Sequence, residues 1–150
     1  MIRNAPSTIL VDTSVWVDHL RGTDNRSVRR LGSLLRSGSS VCATEPILME
    51  LLAGARTDAE RHDLRRMITG QRWLPVDPAA DFEAAAIIYA ACRSAGFTPG
   101  GLTDCMIAAI AIRTGSTLLA GDQGFARIAL IVALQLDAPQ SPQASSPGDR

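Results

Sequence analysis

The chain has no lysine: all fifteen basic residues are arginine, matched by fifteen acids among 150 residues. That absence excludes a P-loop NTPase, which needs a phosphate-binding lysine, and a Schiff-base enzyme, which needs an amine. It also excludes a receiver-type phosphoacceptor pocket, whose acids are paired with a lysine. Cysteine is scarce. Cys42, Cys92 and Cys105 are odd in number, widely spaced and form no C-x-x-C pair, so neither a disulfide framework nor a zinc site is implied, and each reads as a small core residue. Aromatic residues make up only 4% of the chain, and Trp16 and Trp73 are better spent on the core than on stacking bases. No apolar run approaches the roughly 18 residues of a membrane span, and Met1 to Leu10 lacks the basic start and long apolar stretch of a signal peptide. The expectation is a soluble, cytoplasmic protein with no membrane partner.

With 46% apolar residues and a mean hydropathy of +0.10, the chain can bury one domain core. Thr8 to Asp12 is a short apolar run ending in a carboxylate, followed by Thr13-Ser14 and an amphipathic stretch to Leu20, which reads as strand then helix. Asp24 to Arg36 is an amphipathic helix and Val41 to Ala43 a short strand. Thr44 is placed to cap a helix running to about Gly54, and a polar helix follows over Asp58 to Ile68. Trp73 to Val76 reads as a third strand, Ala79 to Ala95 as a helix stopped by Gly96, and Phe97 to Gly101 as a loop. Thr103 is then read as the cap of an apolar helix to Arg113. Thr117 to Ala120, a short helix over Phe125 to Ala129 and a last strand over Ala133 to Leu136 complete the pattern. Alternating strands and helices predict an α/β sandwich built on a parallel sheet. The expected domain covers residues 1–137, and residues 138–150, rich in Pro, Ser and Gln, read as a disordered tail.

In an open parallel sheet, ligands bind outside the C-terminal ends of the strands. Asp12 and Asp122 both follow apolar strands. Asp104 opens a helix that is apolar on its other faces. Glu50 sits within Ile47 to Leu52, on the helical face of Ile47 and Gly54, so it either faces solvent or is buried for a purpose; Gly54 there would permit close approach of another backbone. Four carboxylates from four distant segments suit hard divalent cations such as Mg²⁺ or Mn²⁺, which take oxygen ligands and keep several waters. Such ions serve phosphodiester hydrolysis without a histidine base. Thr13 and Ser14, at the turn after Asp12, can cap the helix and orient neighbouring carboxylates.

These segments resemble the PIN-domain ribonucleases, specifically the VapC toxins of bacterial type II toxin–antitoxin pairs. Ile9 to Trp16 is similar to the family's first strand and D-T-S turn, and Glu45 to Gly54 to its acidic helix with E-x-x-x-G. Leu102 to Ala109 resembles the third acidic segment and Gly121 to Ile128 the fourth. The four run in order from residue 9 to about 136. The resemblance implies a PIN-like three-layer sandwich, with a central, mainly parallel sheet flanked by helices. It implies a Mg²⁺-dependent endoribonuclease, with Mn²⁺ substituting, whose site is Asp12, Glu50, Asp104 and Asp122, supported by Thr13 and Ser14. It implies RNA cut at one site in tRNA or rRNA, leaving 5′-phosphate and 3′-hydroxyl ends, a homodimer, and a VapB-like antitoxin presenting an arginine to the carboxylates. The fourth segment departs from the pattern, with Gly124 where many relatives carry a second acid and Gly121 where they carry a basic or polar residue.

Other readings of the same residues are weaker. His19 and His62 lie in polar stretches without metal-ligand spacing and read as surface histidines. A Ser14-based triad lacks the G-x-S-x-G elbow. Glu45 reads as a first-turn partner of its helix dipole. The arginine faces around residues 26–36 and 61–72 read as solvated. With the four candidate acids set aside, fifteen basic residues face eleven acids, a balance suited to an RNA backbone. Two rivals remain: a metal-dependent DNA nuclease or phosphatase on the same acids, and a non-catalytic PIN-like RNA-binding module.

Overall fold

The computed structural model describes residues 7–137, so the tail expected from residue 138 lies outside the described residues. Three short strands bury every residue they have or nearly so: β1 (Ile9–Val11), β2 (Val41–Ala43) and β4 (Thr117–Leu119). The fourth, β3, is only Arg72–Trp73. All pair in parallel in the order β3-β2-β1-β4, with Leu10 opposite both Cys42 and Leu118. Strands buried on both faces cannot alternate polar and apolar residues, which is why β1, β2 and the Leu118-Leu119 end of β4 read as continuous apolar runs.

Helices α1 (Thr13–Leu20) and α2 (Arg26–Ser37) connect β1 to β2, and α3 (Glu45–Gly54) and α4 (Asp58–Thr69) connect β2 to β3. From β3 the chain passes through α5 (Pro78–Ser94) and α6 (Leu102–Thr114) to β4, and α7 (Gln123–Ala129) follows. Helix α6 is the central one, with Cys105 and every residue from Ile107 to Ala111 buried. Helix α5 lies along it through Asp81, Ala85, Ile88 and Cys92, spaced four, three and four apart as one helical face requires. Asp81 is 1% exposed and is matched by Arg113 of α6, which donates two 2.8 Å hydrogen bonds to it and a third to the Pro75 carbonyl.

Three expected elements differ. The strand expected over Trp73 to Val76 starts one residue earlier and stops at Trp73; the Leu74 N–H still donates to the Ala43 carbonyl of β2 at 2.9 Å, and beyond it the Val76 N–H donates to Glu45 (2.9 Å), which also accepts from the Trp73 indole (3.2 Å). The strand expected over Ala133 to Leu136 is reduced to one parallel bridge between Leu136 and Leu118. Gly101, not Thr103, is the N-cap of α6, which begins at Leu102. Among the described residues no helix is long and apolar enough to cross a membrane.

From β1 the chain leaves toward β2, and from β4 it leaves toward Leu136 on the opposite side. The connections therefore diverge between β1 and β4, and such a reversal opens a crevice at the strands' C-terminal ends. The Asp12 backbone N–H donates to the Leu119 carbonyl at 2.9 Å, closing the floor of that crevice.

Candidate active site

Asp12 leaves β1 as the N-cap of α1. It is 4% exposed, and its Oδ2 accepts from the Ser14 hydroxyl at 2.7 Å and the Ser14 backbone at 3.3 Å. Burial pushes its carboxyl up, the Ser14 and Thr13 hydrogen bonds pull it down, and the Asp122 charge pushes it up again, for a net rise. Asp122 stands across the crevice as the N-cap of α7, where Oδ1 accepts from the backbone of Gly124 (2.9 Å) and Phe125 (3.4 Å); it is exposed. Gly124 makes the tight approach here: a Cβ on it would lie 3.2 Å from the Asp122 Oδ1.

Glu50 reaches the site from the middle of α3. Its Oε1 accepts a 2.9 Å hydrogen bond from the Thr13 hydroxyl, which turns the side chain toward the turn after β1. Half-buried on a helix of apolar neighbours, it is neither a free surface acid nor sealed in the core. Gly54, on the same face, has nothing within 4 Å of a Cβ position, so the expected close approach of another backbone is absent. Asp104 enters from the first turn of α6, whose N-terminal dipole favours an acid. Its carboxyl is nonetheless raised from 3.8 to about 6, first by burial and then by the charges of Asp12, Asp122 and Glu50.

The four sequence candidates thus lie near enough to act on one another's charge, Asp104 feeling Asp12, Asp122 and Glu50, and Asp12 feeling Asp122, although they come from residues 12, 50, 104 and 122. Thr13 and Ser14 each hold one of them, in the orienting positions expected. Glu45 does not join them: burial raises its carboxyl, but hydrogen bonds from Val76, Trp73 and Thr44 outweigh it and hold it below the usual range. Its part is to anchor the segment after β3, more than the dipole partner expected. His19 is half-buried with its ring edge-on to Trp16, 6.3 Å between centroids, and His62 is exposed. Trp16 is core as expected, and its buried indole N–H has no partner among the described residues.

Among the described residues no three Asp, Glu, His or Cys side chains are gathered tightly enough to close on one ion. The donor set nevertheless fits Mg²⁺ or Mn²⁺. It is all oxygen, it is mutually repulsive without a cation, and such ions are held by one or two carboxylates with waters filling the other positions. A pairing arginine at Asp12, Glu50, Asp104 or Asp122 would have satisfied those charges internally; the ion pairs among the described residues involve none of the four.

Comparison with known proteins agrees with this arrangement. Residues 9–131 match the PIN domain family model. The chain is 45% identical over 130 residues to ribonuclease VapC11 of Mycobacterium tuberculosis, covering 85% of this chain and 96% of that protein. The identity and coverage are the same for the VapC ribonuclease Mb1587 of Mycobacterium bovis. In structure it is similar to VapBC2 from Rickettsia felis bound to a promoter DNA fragment (TM-score 0.67, 16% identity, 87% of this chain and 97% of that one). It is also similar to VapBC-1 from nontypeable Haemophilus influenzae (TM-score 0.64, 17% identity, 87% and 96%). At those identities the structural likeness speaks for the fold.

Proposed function

The chain belongs to the PIN-domain family, among its VapC ribonucleases, and from that premise we propose how its acidic crevice works. It is a VapC-type ribonuclease toxin that hydrolyses RNA and is neutralised by a VapB-like antitoxin; ribonucleases of this kind depend on a divalent metal. The observation that supports a role for Asp12, Glu50, Asp104 and Asp122 is their convergence from four segments without a cationic partner, whose like charges add to the larger effect of burial in lifting Asp104 to about 6.

Asp12 and Asp104 would hold Mg²⁺, or Mn²⁺ in its place, with Glu50 completing the site and Asp122 acting directly or through water. The metal supplies charge neutralisation for the phosphate and activation of water. The protein does the rest. Ser14 holds Asp12 in one orientation by its 2.7 Å hydrogen bond, and Thr13 holds Glu50. The crevice between β1 and β4 admits a phosphodiester at the strand ends, where backbone and acids are fixed by the sheet. No buried histidine stands by as a base for the ribose 2′-hydroxyl, so in-line attack by water leaves 5′-phosphate and 3′-hydroxyl ends. Loops of tRNA or rRNA, whose bases are exposed for reading, are the substrate class that suits an open crevice. Such a substrate places the action in the cytoplasm.

The chain also pairs with itself on this reading. A groove of about 430 Å³ between α3, α5 and α6 is walled by Met49, Phe82, Leu102 and Met106, with Met49, Phe82 and Leu102 more than half exposed. Its one charged wall residue, Glu45, is committed to Trp73 and Val76, so the complement of this surface is a like apolar surface of a second copy. The antitoxin would cover the crevice itself and present an arginine to its carboxylates.

The test is a comparison of hydrolysis rates on RNA, single-stranded DNA and a small phosphate monoester, each with Mg²⁺, Mn²⁺ or EDTA. Metal-dependent cleavage of RNA far above the other two is expected. Equal rates on DNA or the monoester would replace the substrate class, and no cleavage with intact metal binding would remove the catalytic reading.

A further inference from the structure

We propose that Arg127, seated over the ring of Phe97 on the two segments that carry Asp122 and Asp104, clamps an unpaired nucleobase of the RNA bound at the acidic crevice. The inference rests on the RNA-cleaving reading of the crevice. The guanidinium carbon lies 4.0 Å from the centre of the Phe97 ring. Both residues sit on segments that carry site acids. Phe97 begins the loop that delivers Asp104, and a Cβ on Gly100 in that loop would touch the Asp104 carboxylate at 3.7 Å. Arg127 lies on α7, the helix that Asp122 caps.

Gly96 takes a left-handed φ of +86°, and the Phe97 backbone N–H donates to the Cys92 carbonyl at 2.9 Å, which fixes the backbone at the end of α5; the Phe97 side chain is half-buried against the core. Arg127 is exposed and, like most of the described arginines, forms no ion pair among the described residues; what sets it apart is the aromatic ring beneath it. Its charge is therefore uncommitted beside a crevice that repels RNA. A guanidinium with one face on an aromatic ring keeps its other face for a base and its edge for phosphate, a planar recognition that an ammonium cannot make. Sequence reading dismissed base stacking because it considered the two tryptophans, both of which are used elsewhere; the platform is instead an arginine on a phenylalanine, thirty residues apart in the chain.

The probe is a short single-stranded RNA carrying 2-aminopurine, titrated with the Asp104→Asn protein in Mg²⁺ so that binding is read without turnover. Stacking quenches the fluorophore. Arg127→Ala and Arg127→Lys are expected to lose the quench and to bind about tenfold more weakly, with melting temperatures close to that of the parent. In the otherwise wild-type enzyme the same changes should raise KM far more than they lower kcat and should relax base preference next to the cut. Phe97→Leu, which keeps the apolar bulk, should give an intermediate effect. Unchanged quenching and KM in Arg127→Ala would overturn the proposal, as would full rescue by lysine, which would make Arg127 a simple phosphate contact. If the wild type cuts no RNA while its quench still depends on Arg127, the nuclease reading fails and the base clamp stands.

Discussion

Asp104 is the residue on which the local electrostatics bear most. Its carboxyl is held at about 6 against 3.8 for an unperturbed aspartate, so between those values the folded chain keeps a proton that the unfolded chain has released. The stability this contributes is complete below pH 3.8 and is lost as pH rises through 6, a difference on the order of 2 kcal/mol after partial screening by solvent. In EDTA, Asp104→Asn should therefore match or exceed wild-type stability at pH 7, lose that part of the pH dependence, and lose the stabilisation that Mn²⁺ gives the wild type. A large drop in the melting temperature of the metal-free variant would make Asp104 structural. Thr13→Val removes the hydrogen bond that turns Glu50 inward, and Ser14→Ala removes one from Asp12. Each should weaken metal affinity by about tenfold or more, read by Mn²⁺ titration, with little change in the fold. At this scale the candidate acids were legible by position: Asp12 and Asp122 after strands and Asp104 at a helix start lie where an α/β crevice draws ligands, whereas Glu50, in the middle of α3, was marked only as a charge among apolar neighbours. The Thr13-to-Glu50 bond was not, because residues 37 apart in sequence share no local pattern.

Elements were legible where one local rule decided them. Gly96, at φ +86°, follows the end of α5 as read, and the apolar run Val41–Ala43 is β2 over its whole length. They were misread where tertiary contacts intervened. Beyond Leu74, whose N–H still pairs with β2, Glu45 takes the Val76 N–H and the expected strand is cut short, and α6 begins at Leu102 with no side-chain cap, so the Thr103 signal for a helix start was outweighed. The pairing of Asp81 with Arg113 is likewise invisible to periodicity, since a charge on an apolar helical face reads as an exception until its partner on the next helix is seen. Arg113→Met strands the Asp81 carboxylate, 1% exposed, and should destabilise by about 3 kcal/mol, lowering the melting temperature on the order of 10 °C in a thermal scan. Arg29→Met, which breaks an ion pair more than two-thirds exposed on both sides, should leave that temperature unchanged.

For the whole molecule, the strand order carries the argument. Because β4 lies on the side of β1 opposite β2, the chain diverges between them, and residues 12 and 122 meet across the opening while α3 and α6 bring Glu50 and Asp104 to it. Alternating strands and helices announced a parallel sheet, but not which strands would be neighbours; that follows from long-range pairing. If the apolar groove over α3, α5 and α6 is covered by a second copy, light scattering of the purified chain should give twice the monomer mass, and Phe82→Glu should return it to the monomer. The most direct measurement of the central claim is cleavage of purified cellular RNA by the wild type and by Asp104→Asn, with Mg²⁺, Mn²⁺ or EDTA, followed by mapping of the new ends. Discrete cuts bearing 5′-phosphates, present only with metal and an intact Asp104, are the predicted result. Cuts that survive EDTA or the substitution would contradict it, because cleavage would then owe nothing to the acidic crevice.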